Sequence, residues 1–125
     1  MTKAVFPLAL LLLWSNSGNA GNCEDGATSM SEVRACLAAQ SDASVKAAYA
    51  TLLAKVEASN PQAAPALEAS QRSWALFAKD SCDFHSEFNA AVSDRDDSRV
   101  NCWADFSRAR IKVLKSWESR LDGRR

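Results

Sequence analysis

The stretch Leu67-Glu-Ala-Ser-Gln-Arg-Ser-Trp-Ala-Leu-Phe-Ala-Lys-Asp-Ser-Cys82 decides the fold class. Leu67, Trp74, Ser81 and Phe88 recur every seven residues, and Ser70, Phe77 and Phe84 occupy the interleaved positions. On a helix these positions form one stripe of apolar or small side chains. The spacing predicts a central helix whose stripe is the packing surface for the segments on either side. A strand reading fits poorly, because alanine is abundant, β-branched residues are few and no two-residue hairpin turn is present.

Toward the N-terminus, Ser59-Asn60-Pro61 interrupts the pattern and Pro65 is tolerated only in a first helical turn. The second helix is therefore expected to begin between residues 61 and 65. So short a connection makes the first two helices antiparallel neighbours. Before it, Met30, Val33, Leu37, Val45, Ala48, Leu52 and Val56 share one helical face, with Ser41 in the gap. Ser29 is the expected cap, Glu32 is expected to reach back to the Ser29 amide, and this helix should end near Ala58. Toward the C-terminus the second helix continues to about Phe88, and the polar run from Asn89 to Ser98 is expected to form an exposed loop. Asp97 or Ser98 then caps a third helix that turns Trp103, Phe106, Val113, Leu114, Trp117 and Leu121 inward and stops near Gly123. The fold class is all-α: a small three-helix bundle in up-down-up order.

The chain has 125 residues, one histidine, four cysteines and fifteen basic against fifteen acidic side chains, which suits a single domain. Lys3, the apolar run from Ala4 to Trp14 and the small-residue segment ending Gly18-Asn19-Ala20 read as a signal peptide, residues 1–20, cleaved near Ala20. The competing reading is a membrane anchor, but the run is well short of the ~20 residues that a spanning helix needs. A lipid anchor on Cys23 is a further alternative, against which Ala20-Gly21-Asn22 lacks the small residue expected immediately before a lipidated cysteine. Residues 21–125 then form one domain, periplasmic or secreted. Without Lys3, 14 basic and 15 acidic residues remain, a formal charge of −1, which points toward neither nucleic acid nor an anionic membrane.

Four cysteines in a short exported chain read as two disulfides, with three connectivities open in principle. In an up-down-up bundle Cys36, Cys82 and Cys102 lie toward one end, with Cys23 just upstream of it. That placement favours Cys23 with Cys36 and Cys82 with Cys102, each worth about 3 kcal/mol on the chain-entropy model. A metal site would need ligands that are scarce here: there is no Cys-x-x-Cys and His85 is the only imidazole. Neither metal nor cofactor is expected. His85 with Asp83 and Glu87 makes no triad with an activated nucleophile, so the protein is not expected to be an enzyme. His85 reads instead as a partly exposed residue on the rim of the second helix. Trp74, Trp103 and Trp117 could form a ligand-stacking platform, but at helical spacing they read as core.

Cys23, Thr28, Glu32 and Cys36, then Asp42, Val45, Tyr49 and Leu52, resemble the first segment of the lysozyme-inhibitor LprI-type family of small exported helical domains: Cys, Thr, Glu, Cys and then Asp-x-x-Leu-x-x-x-Tyr. Leu67, Gln71, Arg72, Trp74, Phe77 and Cys82 resemble its Leu-x-x-Ala-Gln-Arg-x-Trp segment and the cysteine that follows. Cys102, Phe106, Ser107, Arg110 and Leu114 resemble its Cys-x-x-x-Leu-Thr-x-x-Arg-x-x-x-Leu ending. Val45 stands for the usual Leu, Ser70 for the Ala before Gln71, and Ala90 to Asp97 for a glycine-rich segment. The resemblance implies inhibition of lysozyme in the bacterial envelope through a protein partner. The alternative is a periplasmic accessory or structural module that binds another envelope protein without inhibiting it.

Charge position refines that expectation. From Asp80 to Asp97 six acids, Asp80, Asp83, Glu87, Asp94, Asp96 and Asp97, stand against Arg95 alone, a local −5, whereas the third helix is basic. This is either a solvated loop partly neutralised by its neighbour, or a face in which Glu87, Asp94, Asp96 and Asp97 meet a cationic partner such as a lysozyme. Arg110 lies in line with Phe106, Val113 and Trp117 on the inward side of the third helix. It either pairs with Asp42, with Tyr49 or Gln71 completing the hydrogen bonding and Trp74 nearby, or extends to solvent.

Overall fold

Residues 22–124 are described by the computed structural model; the signal segment expected at residues 1–20 lies outside them. Three helices follow in order: α1 (Met30–Ser59), α2 (Ala64–Phe88) and α3 (Arg95–Asp122), with the 3-10 turn Pro61–Ala63 joining the first two. Ser29 caps α1 by accepting from the Glu32 amide at 3.2 Å. The Glu32 carboxylate reaches one residue further back than expected, accepting from the Thr28 amide at 2.7 Å and from the Thr28 hydroxyl. At α2 no side chain caps the start, and Pro65 removes one of the free amides that a cap would otherwise satisfy. The cap of α3 is Asp94, not Asp97 or Ser98: its carboxylate accepts from the amides of Asp96 and Asp97 at 2.9 and 3.0 Å. The α2–α3 loop is correspondingly shorter than expected, and Ser98 is buried inside the helix.

The result is an all-α, up-down-up bundle in which α1 and α3 run parallel and α2 antiparallel to both. Both expected disulfides are present, Cys23–Cys36 and Cys82–Cys102. The centre of the bundle is different from the one the periodicity suggests. α3 packs along α1 and also along α2, whereas α1 and α2 touch each other far less. On α2 the buried face is Ala64, Leu67, Ala78, Cys82 and Ser86, about a third of a turn away from Phe77, Phe84 and Phe88, which are exposed. Small residues let α2 sit close against α3; the larger aromatic stripe, though more apolar, is left on the flank. Met30, Leu37 and Val113 are likewise on the surface rather than in the core.

The apolar core lies toward the α1–α2 turn. Leu52, Val56, Ala64, Leu67 and Leu114 form it, with Tyr49, Leu53, Trp117 and Leu121 packed on its edge. At the opposite end the helices are held by Cys82–Cys102, by burial of Cys23 and Ala78, and by the buried Ser86 hydroxyl, which donates to the Arg95 carbonyl at 2.8 Å.

Candidate partner-binding surface

Between the two ends sits Arg110, only 7% exposed. Its Nε donates to Gln71 Oε1 at 3.0 Å and a terminal nitrogen donates to Ser70 Oγ at 3.1 Å. Its guanidinium carbon lies 5.8 Å from the centroid of Trp74 and 5.4 Å from that of Trp117. No carboxylate reaches it among the described residues, and burial pushes its pKa down from the usual arginine value. The expected pairing with Asp42 is therefore replaced: Asp42 accepts from Trp103 Nε1 at 2.7 Å, and Trp103 packs on Trp74 with ring centroids 5.5 Å apart. Tyr49 belongs to the core edge, where burial and then the Glu68 charge raise its phenol above its ordinary range. A planar cation between two indoles needs less compensation from an anion, because ring faces and neutral oxygens share its field.

Around the disulfide end the charges separate. Residues 22–39 and 79–104 carry nine carboxylates and four cations, net −5; residues 40–78 and 105–124 carry six carboxylates and nine cations, net +3. Glu87, Asp94 and Asp96 are exposed and Asp97 is half-buried, and the α3 cap brings the three aspartates together. None of these four is free of internal partners. Arg34 binds Asp97 at 2.7 Å and Asp94 at 3.3 Å, and Arg95 meets Glu87 at 3.2 Å. Arg99 bridges Asp83 at 3.0 Å and Asp96 at 3.2 Å, while Lys79 reaches Asp83 at 2.8 Å. The Asp97 amide and then the Arg34 charge hold the Asp94 carboxyl below the usual carboxylate range; Lys79 and then Arg99 do the same for Asp83. Asp80 enters no ion pair among the described residues.

Arg34, Ser70 and the Trp103–Asp42 bond were not foreseen from sequence. Arg34 sits at an exposed-looking position early in α1, and only the parallel packing of α1 on α3 brings it to the α3 cap. His85 is exposed as expected. No group of three or more His, Cys, Asp or Glu among the described residues could hold a metal ion. An apolar groove of about 390 Å³ lies at the other end between Leu52, Val56, Leu67 and Trp117, with Arg120 and Arg124 beside it, and gathers no acid–base pair.

In comparisons with known proteins, the family model described as "Lysozyme inhibitor LprI" matches residues 23–114. Neither the curated proteins nor the solved structures gave a match.

Proposed function

From the premise that this chain belongs to the lysozyme inhibitor LprI family, a family of inhibitors rather than an enzyme class, we propose that it is an exported protein that binds and inhibits a cationic cell-wall hydrolase. The reading takes its main physical support from the charge asymmetry: a −5 disulfide end on a nearly neutral chain offers a directed field to a basic partner. Its internal ion pairs hold the acids in place at the helix ends while leaving Glu87, Asp94 and Asp96 open to solvent. Two disulfides suit an oxidising compartment, in keeping with cleavage of the N-terminal segment near Ala20 and release to the periplasm or medium. Among the described residues no helix is long and apolar enough to cross a membrane.

Glu87, Asp94, Asp96 and Asp97 are the partner-facing acids in this reading. Asp94 and Asp97 also hold the α3 cap and Arg34, so neutralising them mixes binding with stability. Glu87→Gln combined with Asp96→Asn leaves the cap and the Arg34 pairs in place. The test is cell-wall lysis by egg-white lysozyme with the purified mature chain added, together with association rates at low and high salt. Inhibition that weakens with salt, and slower association for the double variant at low salt, is expected. Absence of inhibition at saturating protein would refute the inhibitor reading, and binding without inhibition would leave the accessory module in its place.

A further inference from the structure

α2 carries an apolar surface that the bundle does not use. Phe77, Phe84 and Phe88 fall at i, i+7 and i+11 on one side of the helix and are 63%, 68% and 74% exposed. Phe84 stacks on Phe88 with centroids 5.8 Å apart, and Phe77 meets Phe106 of α3 edge-on at 5.6 Å, so the rings form two contacting pairs along one side of α2. Leu76 at 61% exposed widens it. With each phenylalanine offering roughly 150–250 Å² when free, the three rings alone leave on the order of 400 Å² of apolar surface in water. That is the size of the largest patch on a typical monomer, and patches of this size are commonly functional.

Charge decides what covers it. Asp80 lies one turn from both Phe77 and Phe84, and Glu87 lies one turn from Phe84. Arg95 meets Glu87 at 3.2 Å, whereas Asp80 enters no ion pair among the described residues, so the unpaired charge on the margin is negative. Lys79, the cation nearest in sequence, is drawn away toward Asp83. A second copy of the chain laid on the stripe would bring a second Asp80 into the interface and, among the described residues of the margin, no unpaired cation to meet either one, since Lys79 and Arg95 are already engaged with Asp83 and Glu87. A basic protein surface with an apolar depression would instead match both rings and margin. The stripe also runs at Phe88 into the −5 end of the bundle, so the same partner would meet one continuous surface.

We propose that the Phe77–Phe84–Phe88 stripe of α2, with Asp80 and Glu87 on its margin, is the surface on which the basic protein partner docks. The inference rests on the cationic-partner reading above and locates it: the rings supply the buried anchor, and the acids of the disulfide end supply steering. The stripe lies outside the core, so polar replacements there leave the fold in place.

The experiment uses the full mature chain and egg-white lysozyme, read by binding titration and by inhibition of lysis. Phe84→Ser combined with Phe88→Ser is expected to weaken both by at least about tenfold, the effect of losing a central aromatic anchor. Asp80→Lys, which disturbs no packing, is expected to weaken binding several-fold, and Met30→Ser, an exposed apolar residue off the stripe, to leave it unchanged. Far-UV circular dichroism checks that each variant is folded. If the parent binds lysozyme and both the double-serine and Asp80→Lys variants bind equally well, the stripe is ruled out while the cationic-partner reading survives. If the parent fails to bind lysozyme, that reading falls and the inference with it. If the parent sediments as a dimer that the double-serine variant dissociates, a second copy covers the stripe and the inference is overturned.

Discussion

Arg110→Lys tests the account of the buried cation most directly, because it keeps the charge and removes the geometry. The guanidinium makes two hydrogen bonds at once, to Gln71 and Ser70, while facing Trp74 and Trp117. Each hydrogen bond from a charged donor is worth about 1.5 kcal/mol net, and each ring contact about 0.5–1 kcal/mol. A lysine ammonium, a compact point charge, recovers about one of the hydrogen bonds and leaves a strongly hydrated group in a site that is 7% exposed, so the loss is expected to be about 2 kcal/mol. Arg110→Ala loses both bonds, both ring contacts and the packing of the stem. No carboxylate is left uncompensated, however, and removing a buried charge returns part of its desolvation cost, so about 3 kcal/mol is expected. Arg110→Met keeps an apolar stem between the indoles without the charge and is expected to cost least, about 1 kcal/mol. The assay is urea unfolding of the disulfide-intact chain, followed by tryptophan fluorescence and circular dichroism. A lysine variant within about 0.5 kcal/mol of the parent would refute the argument that fork and stacking, rather than charge alone, fill this site.

The Ser107 hydroxyl is buried and, among the described residues, has no hydrogen-bond partner, so Ser107→Ala is expected to raise stability by about 1 kcal/mol in the same urea titration; a loss would show that the hydroxyl is satisfied. Cys82→Ala with Cys102→Ala opens a link across a 20-residue separation and is expected to cost about 3 kcal/mol. Cys23→Ala with Cys36→Ala should cost less, because the freed N-terminal segment regains its disorder in the folded protein too; equal losses would count against that reasoning. Asp83, Asp94 and Glu32 have carboxyl groups held below their ordinary values, Glu32 by the Thr28 amide and hydroxyl. The unfolded chain therefore takes up protons first on acidification, and the stability these groups contribute is present above about pH 4 and lost as pH falls through their lower folded values. Thermal melts should be level from pH 7 to 5 and decline below pH 4, and a decline already complete at pH 5 would contradict the assignment.

Helix number, both ends of α1 and α2, the end of α3 and both disulfides are legible because local chemistry decides them. Prolines at 61 and 65 and the short polar segment after Phe88 leave few places for turns, and up-down-up order leaves Cys36, Cys82 and Cys102 at one end. The packing order was not legible. Periodicity selects the most apolar stripe of the second helix, but what brings α2 onto α3 is the smaller face with Ala64, Ala78, Cys82 and Ser86. Alanine and serine weigh little in an apolar count, and close approach is decided by size. For Arg110 the sequence leaves pairing with Asp42 and extension to solvent both open; the side chain is instead buried on Gln71, Ser70 and two tryptophans, and helical spacing cannot distinguish such tryptophans from plain core. Likewise, Asp94 reads as one acid of an acidic loop until its neighbours' amides are seen to need it.

The pairing of α1 with α3 has a kinetic side. Arg34 and Asp97, Lys55 and Glu118, and Trp103 and Asp42 are separated by 63, 63 and 61 residues, so the principal interface joins parts of the chain with all of α2 between them. Most three-helix chains close sequential hairpins; this one gains most when a loop of some sixty residues has shut, which raises its contact order and slows its folding relative to other helical bundles. Cys82–Cys102 shortens that path by bypassing 20 residues, so oxidised protein should refold from urea faster than reduced protein. Equal stopped-flow rates for the two would mean that the transition state forms before α1 and α3 meet.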